Sequence, residues 1–363
     1  AEAAGPMGRY YERINRERAY LKSTTLLALR RDLEDAAKLA RRPDVKRRID
    51  YLRLYYILLD AIRYGPAGRM GKDELLRAAR IGQSLVGRNA VGKIMCDTVT
   101  AIALDAKPGA EVQPPPAFSE AEIQDILKNL VLPEPKPELP EWRAEDDYKM
   151  KPLDPQEATF DTKMKIAFRY GPNTVLLYVE SGEKILVTPT ADIKTQYELI
   201  GPEQVTAASG VMTPKEPLTH RAGSTGVYTL AITTGGAWTD LDIANRWAAI
   251  KTSSVQQQLH PIGGCVLYFY VPTGTKEFAF VGKADQGEPY ELALWGPHDA
   301  KEPVLAPTVC KSTSFEEQRV AVPPGADGKV WKMQLNGEDK EFFLLGIPPF
   351  LSSSPARLLQ PGD

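Results

Sequence analysis

Two stretches of this chain decide its fold, because one is a second writing of the other. The first runs Asn173-Thr-Val-Leu-Leu-Tyr-Val-Glu-Ser-Gly-Glu-Lys-Ile-Leu-Val187, and the second runs Gly264-Cys-Val-Leu-Tyr-Phe-Tyr-Val-Pro-Thr-Gly-Thr-Lys-Glu-Phe-Ala-Phe280. Each reads as a strand, a short Gly turn and a second strand. The segments downstream of each copy are repeated too. Tyr197-Glu-Leu-Ile-Gly-Pro202 is echoed by Tyr290-Glu-Leu-Ala-Leu-Trp-Gly-Pro297, and Ala222-Gly-Ser-Thr-Gly-Val-Tyr-Thr-Leu-Ala-Ile232 by the segment Pro324 to Leu335. The offset is 91 at Leu176/Leu267, 93 at Tyr197/Tyr290 and 103 at Tyr228/Trp331, growing across an insertion around Pro303 to Gln318. Matched segments in one order argue for duplication, and two copies make a tandem pair rather than a solenoid.

Outward from the repeat, short Val-, Ile-, Leu-, Thr- and Tyr-rich runs alternate with Gly and Pro turns from about Phe160 onward. That spacing predicts antiparallel β-sandwiches, over 160–252 and 259–348. The last residues, 349–363, carry Pro and Ser and are expected to run as a surface tail. Upstream, 132–159 reads as a Pro-rich linker (Pro133, Pro135, Pro137, Pro140, Pro152, Pro155) of extended backbone, with Trp142 pinning it to a neighbouring domain. Residues 1–131 read as an α-helical domain. Apolar residues recur at helical spacing from Tyr10 to Leu33 and again from Val45 to Ile62. Pro43 falls at a helix start, Gly65-Pro66 at a stop, and Ser119-Glu-Ala-Glu122 has the residue types of a capping box. The expected fold class is multidomain α then β: an N-terminal helical bundle followed by two tandem antiparallel β-sandwiches.

The 363 residues carry a net charge of −2, with 43% hydrophobic residues, as in an ordinary globular protein. No apolar run approaches the roughly 18 to 20 residues of a membrane span. The helical part holds 23 basic against 17 acidic residues and the remainder 22 against 30. The basic residues are expected to solvate helix faces and pair with nearby acids, not to bind nucleic acid, since no basic-aromatic recognition pattern accompanies them. Three cysteines, Cys96, Cys265 and Cys310, are too few for a disulfide scaffold, although Cys265 and Cys310 share one repeat and could bridge. The three histidines, His220, His260 and His298, lack metal-ligand spacing, so no metal or other cofactor is expected.

No Walker loop, dinucleotide-binding Gly pattern, His-Glu-x-x-His helix or nucleophile elbow occurs. Carboxylate pairs such as Asp240 with Asp242, or Asp285 with Glu288, sit in or beside turns and read as solvated groups, so no catalytic residue is assigned. Aromatics are the better lead, because the C–H-rich face of a sugar packs on an aromatic plane. Trp238, beside Gly235-Gly236 and followed by Asp240, and Trp295, before Gly296-Pro297, are the candidate glycan-binding residues. Core packing is the competing reading for both tryptophans, Ile200 holding the matching place for Trp295. Trp247 and Trp331 read as strand interior. Tyr268 and Tyr270 alternate with Leu267, Phe269 and Val271, so both faces of that strand are expected to be covered.

Each β unit resembles the bacterial pre-peptidase C-terminal type of sandwich, in its Tyr-Val strand pair, its Gly-Pro turn and its Thr225-Gly-Val-Tyr-Thr-Leu230 strand. Such modules accompany secreted enzymes and bind or pack without catalysing. The opening Ala3-Ala-Gly-Pro-Met-Gly-Arg-Tyr-Tyr-Glu12 and the helices after it are similar to the helical region following the catalytic barrel in large secreted bacterial proteins distantly related to α-glucuronidases and other glycoside hydrolases. These resemblances imply the C-terminal portion of a larger extracellular, periplasmic or cell-surface polypeptide whose catalytic part lies outside this chain, with a polysaccharide or glycan as partner. The alternative is a structural protein that self-assembles, as a homo-oligomer, through its duplicated sandwiches.

Overall fold

The computed structural model describes residues 4–16, 21–65, 69–87, 93–104, 106, 113–136, 138–153, 162–164, 168, 171–255, 259–261, 263–284, 288–313, 315–337 and 339–362. They form two compact units, Ala1–Glu138 and Leu139–Asp363.

The first unit is helical: α1 (Ala4–Arg16), α2 (Ser23–Leu39), α3 (Pro43–Tyr64), α4 (Lys72–Val86), α5 (Lys93–Ala103) and α6 (Glu120–Lys128). Pro43 opens α3 where a missing N–H costs nothing, with Asp44 in its first turn. Ser119 caps α6: its Oγ accepts from Glu122 N at 3.3 Å while Ser119 N donates to Glu122 Oε2 at 2.7 Å. The central element is α3, which buries Leu54, Leu58 and Ala61 against α4 and α5, and Tyr56 and Tyr64 toward α1 and α2. Gly82 on α4 allows close packing, since a Cβ there would lie 3.0 Å from Leu58 Cδ2 and 3.1 Å from Cys96 Sγ. The segment read as a linker begins within this unit. Ser23 Oγ donates to Lys136 O at 2.6 Å, and Arg63 Nη2 lies 3.1 Å from Glu138 Oε1.

The second unit is two β-sandwiches with a common topology. In the first, the large sheet holds β2 (Asn173–Val179), β4 (Thr195–Ile200), β5 (Thr206–Met212), β7 (Gly226–Thr233) and β9 (Trp247–Lys251), ordered β9-β2-β7-β4-β5. Its small sheet is β6-β3-β8, formed by Leu218–Arg221, Lys184–Pro189 and Leu241–Ile243. In the second sandwich, β10 (Cys265–Val271), β15 (Lys329–Gly337), β12 (Tyr290–Trp295) and β13 (Leu305–Cys310) repeat the order β2-β7-β4-β5. Its small sheet, β14-β11-β16 (Glu316–Ala321, Glu277–Ala284, Lys340–Leu345), repeats β6-β3-β8.

Strand register refines the sequence match. Leu177 pairs with Tyr228 as Phe269 pairs with Trp331. Val175, Leu177 and Val179 therefore correspond to Leu267, Phe269 and Val271, and all six lie in the core. The match of Leu176 to Leu267 is one residue out, and a one-residue slip exchanges the two faces of a strand. The cause is visible. Both faces of β2 are buried, so its sequence lacks the alternation that fixes register in β10. Similarly, Ile200 pairs with Thr229 as Trp295 pairs with Lys332, which upholds the Gly-Pro match and moves Tyr197 opposite Leu292 rather than Tyr290.

The two sandwiches are not separate beads. One buried apolar cluster runs through both. Phe350 and Leu351, as β17, pair with Lys251 and Ile250 of β9, while Ser352 exchanges backbone hydrogen bonds with Tyr268 of β10 at 2.8 and 3.0 Å. This short segment thus joins the two large sheets. The expected surface tail over 349–363 is corrected accordingly. Leu359–Pro361, as β18, pairs with β1 (Met150–Pro152), and Arg357 is fully buried. Its guanidinium donates to the carbonyls of Arg246, Thr162, Ile243 and Asn245 at 2.9 to 3.2 Å.

Residues 139–153 lie on the outer face of the first large sheet. Trp142 packs edge-on against Phe350, and its Nε1 donates to Asp147 Oδ1 at 2.9 Å. Asp147 Oδ2 is 2.6 Å from Lys251 Nζ, in a buried ion pair. Trp331 is fully buried, as expected, whereas Trp247 is half-buried on the outer face, edge-on to Tyr178. The outer face of β10 is less covered than its sequence implied: Tyr268 and Tyr270 are half-buried and Val266 is exposed. Tyrosine tolerates such a face because its apolar ring carries a polar tip.

Candidate functional site

The residues singled out from sequence are placed on two different loops. Trp238, between β7 and β8, is half-buried and stands edge-on to His260 with ring centroids 5.7 Å apart. Asp240 is half-buried in the same loop. Burial raises its carboxyl above the usual range, with Lys163 opposing the shift. Its backbone carbonyl accepts from Thr190 N at 3.0 Å. Trp295 ends β12, half-buried, with Lys332 Nζ 4.1 Å above its ring. That ammonium occupies one aromatic face which a sugar would need. Of the carboxylate pairs, Asp242 is a β8 residue paired with Thr188, and Asp285 lies outside the described residues.

The structure instead forms a cleft of about 320 Å³ at one end of the first sandwich, which none of these residues line. The β4–β5 hairpin contributes Gly201, Glu203 and Val205, the start of β5 Thr206 and Ala207, β6 His220, and the turn into β7 Gly223 and Ser224, with Tyr228 behind. The hairpin is held open by an uncommon backbone. Gln204 has φ of 61°, in the left-handed region that few non-Gly residues adopt, and its N–H donates to Gly201 O at 2.9 Å. Next to it in the hairpin, the Glu203 carboxylate accepts from the Ser224 hydroxyl, which holds it below the usual carboxyl range. Tyr228 Oη donates to Ser224 O at 3.1 Å, which fixes the ring as the inner wall. His220 stands beside it, ring centroids 6.3 Å apart.

The repeat explains why the first copy has room. In the second, Trp331 takes the place of Tyr228 and Ala326 that of Ser224, and Trp331 Nε1 donates to Ala326 O at 2.8 Å. A Cβ on Gly296 would lie 2.2 Å from the indole, whereas one on Gly201 would lie 3.6 Å from Tyr228 Cε1. The larger ring fills against its turn what the phenol leaves open.

Chemically the cleft offers one ionised carboxylate, an imidazole, an aromatic wall and the acceptor oxygens of Thr206 and Ser224, whose hydroxyls donate to Glu198 and Glu203. This is a donor and acceptor set for a hydroxyl-rich ligand. Glycoside hydrolysis uses two carboxyl groups roughly 5 to 10 Å apart, and the lining residues supply one. Among the described residues no group of three or more His, Cys, Asp or Glu side chains could hold a metal ion. Cys96, Cys265 and Cys310 are free thiols, so no bridge joins the latter two. No helix among the described residues is long and apolar enough to cross a membrane. Sequence reading missed the cleft because Glu203 and Ser224 are ordinary turn residues and Thr206 an ordinary strand residue; the legible signal was the repeated Gly-Pro turn with its aromatic, Tyr228.

No family model matches this chain, and no curated protein matches it. Among solved structures, it has a likeness to the crystal structure of a lectin from Pleurotus ostreatus in complex with GalNAc, with 8% identity over 62% of this chain and 82% of that one. The TM-score is 0.15, too low to show a shared fold.

Proposed function

We propose that this chain is the non-catalytic accessory region of an extracytoplasmic carbohydrate-active protein, and that it binds glycan in the Gly201–Tyr228 cleft. The observation that carries the reading is the cleft itself, where a carboxylate, two hydroxyls and an imidazole converge beside an aromatic wall. The resemblance of the β units to modules that accompany secreted enzymes, and of the helices to the region after a glycoside hydrolase barrel, supports a catalytic part lying outside this chain. The ionised Glu203 selects among sugars: it accepts from neutral hydroxyls or an amino group and repels uronic acids and sulfated glycans.

Calorimetric titration with neutral, amino and uronic-acid oligosaccharides tests this. Binding is expected for the neutral or amino set, weakened at least about tenfold by Glu203→Gln or by Thr206→Val. If no oligosaccharide binds, or if these variants bind as well as the parent, the reading fails.

A further inference from the structure

The side chains that line the cleft of the first sandwich have acceptors to spare and few donors. Its hydroxyls spend their protons inside the protein. Ser224 donates to Glu203, Thr206 to Glu198 at 2.8 Å, and Tyr228 to Ser224 O at 3.1 Å. What these groups leave for a ligand is lone pairs. The Glu203 carboxylate adds more. It accepts from the Ser224 hydroxyl and from its own backbone N–H, and among the described residues no Lys or Arg pairs with it. Of the lining side chains, His220 alone keeps a donor to give, since a neutral imidazole has one donor and one acceptor. The repeat shows that the carboxylate belongs to this copy. Gly201-Pro-Glu203 is matched by Gly296-Pro-His298, and Ser224 by Ala326, in the sandwich whose corner Trp331 fills.

We infer that the cleft prefers sugars bearing a free, protonated amino group over neutral or N-acetylated ones, with Glu203 as the specificity-determining residue. This rests on the glycan reading of the cleft and narrows it. An ammonium brings three donors and a positive charge to a wall of acceptors. N-acetylation leaves one N–H and no charge. The Tyr228 ring favours the same ligand, because an aromatic face attracts a cation. A metal ion is a poorer match: Glu203 and His220 are two ligands, and among the described residues no group of three or more could hold one. Glu203 is exposed, so its attraction is modest and salt screens it.

Calorimetric titration with oligosaccharides of glucosamine, N-acetylglucosamine and glucose, matched in length and linkage, tests it. Lysine serves as an ammonium without a sugar ring. At low ionic strength the glucosamine oligomer is expected to bind about fivefold more tightly than the other two sugars and than lysine. That preference should shrink as salt is raised, and fall to within about twofold in Glu203→Gln. If the three sugars bind the parent alike, the inference fails while the glycan reading stands. If none binds, that reading fails and takes the inference with it. A preference that survives Glu203→Gln, or lysine binding as tightly as the glucosamine oligomer, also overturns it.

Discussion

Trp331 Nε1 donates to the carbonyl of Ala326 at 2.8 Å, and this bond locks an indole flat against the Gly296 turn. Tyr228 and Ser224 make the corresponding bond at 3.1 Å in the other sandwich. The two corners should differ in what they tolerate. Gly296→Ala places a methyl inside the indole and is expected to cost about 3 kcal/mol, as overpacking of a filled core does. Gly201→Ala should cost less than about 1 kcal/mol, since the nearest atom, Glu203 Oε2 at 3.2 Å, ends a flexible side chain and the phenol stands at 3.6 Å. Denaturant unfolding measures both. Adding Trp331→Leu to Gly296→Ala should recover part of the loss, as expected for coupled neighbours.

Arg357 carries its charge into the interior on four backbone carbonyls drawn from 162, 243, 245 and 246. Arg357→Ala strands those acceptors, and Arg357→Lys cannot reproduce a planar fork of donors. Each is expected to lower stability by about 3 kcal/mol or more. Hydrogen exchange should report the loss first at Leu359–Pro361 and its partner Met150–Pro152. Unchanged unfolding in both variants would contradict a structural role for the C-terminal segment.

The Lys251–Asp147 pair is buried, with Trp142 as a third member. Desolvation holds the Asp147 carboxyl above its usual range, against the pull of Lys251. Lys251→Met alone leaves a buried acid without its cation and should cost about 3 kcal/mol. Lys251→Met with Asp147→Leu should recover most of that, because two buried charges are replaced by packing. A double-mutant cycle on chemical denaturation checks the sign.

In the helical unit, Asp60 is buried on α3, and its Oδ1 accepts no hydrogen bond. Burial raises its carboxyl from 3.8 to about 6. A raised acid favours the protonated folded state. Its contribution is therefore full below about pH 4 and is lost as pH rises through about 6. Two pH units correspond to on the order of 3 kcal/mol. Asp60→Asn should thus stabilise the chain at pH 7 relative to the parent and remove this part of the pH dependence between 4 and 6. Thermal unfolding at a series of pH values measures the difference.

Much of the architecture was legible because local chemistry and tertiary structure agree. Pro43, Gly65 and the Ser119–Glu122 pair mark helix ends that the fold uses, and the repeat announces two sandwiches with one strand order. Register in β2 was not legible, because burial on both faces erases alternation. Nor was the fate of the C-terminal segment. Leu358 and Leu359 are buried only because a strand from 150–152 and the outer face of the first sheet meet them, a long-range fact with no local period. The cleft was hidden for a similar reason: Glu203 and Ser224 lie 21 residues apart and meet only in the fold, and nothing in either residue announces the meeting.

The central claim is that glycan binds between the β4–β5 hairpin and Tyr228. Amide chemical-shift mapping during titration with a neutral oligosaccharide tests it most directly. The account predicts shifts concentrated at Gly201–Ala207 and His220–Tyr228, absent in Glu203→Gln. Shifts centred on Trp238 or Trp295, or none at saturating sugar, would contradict it.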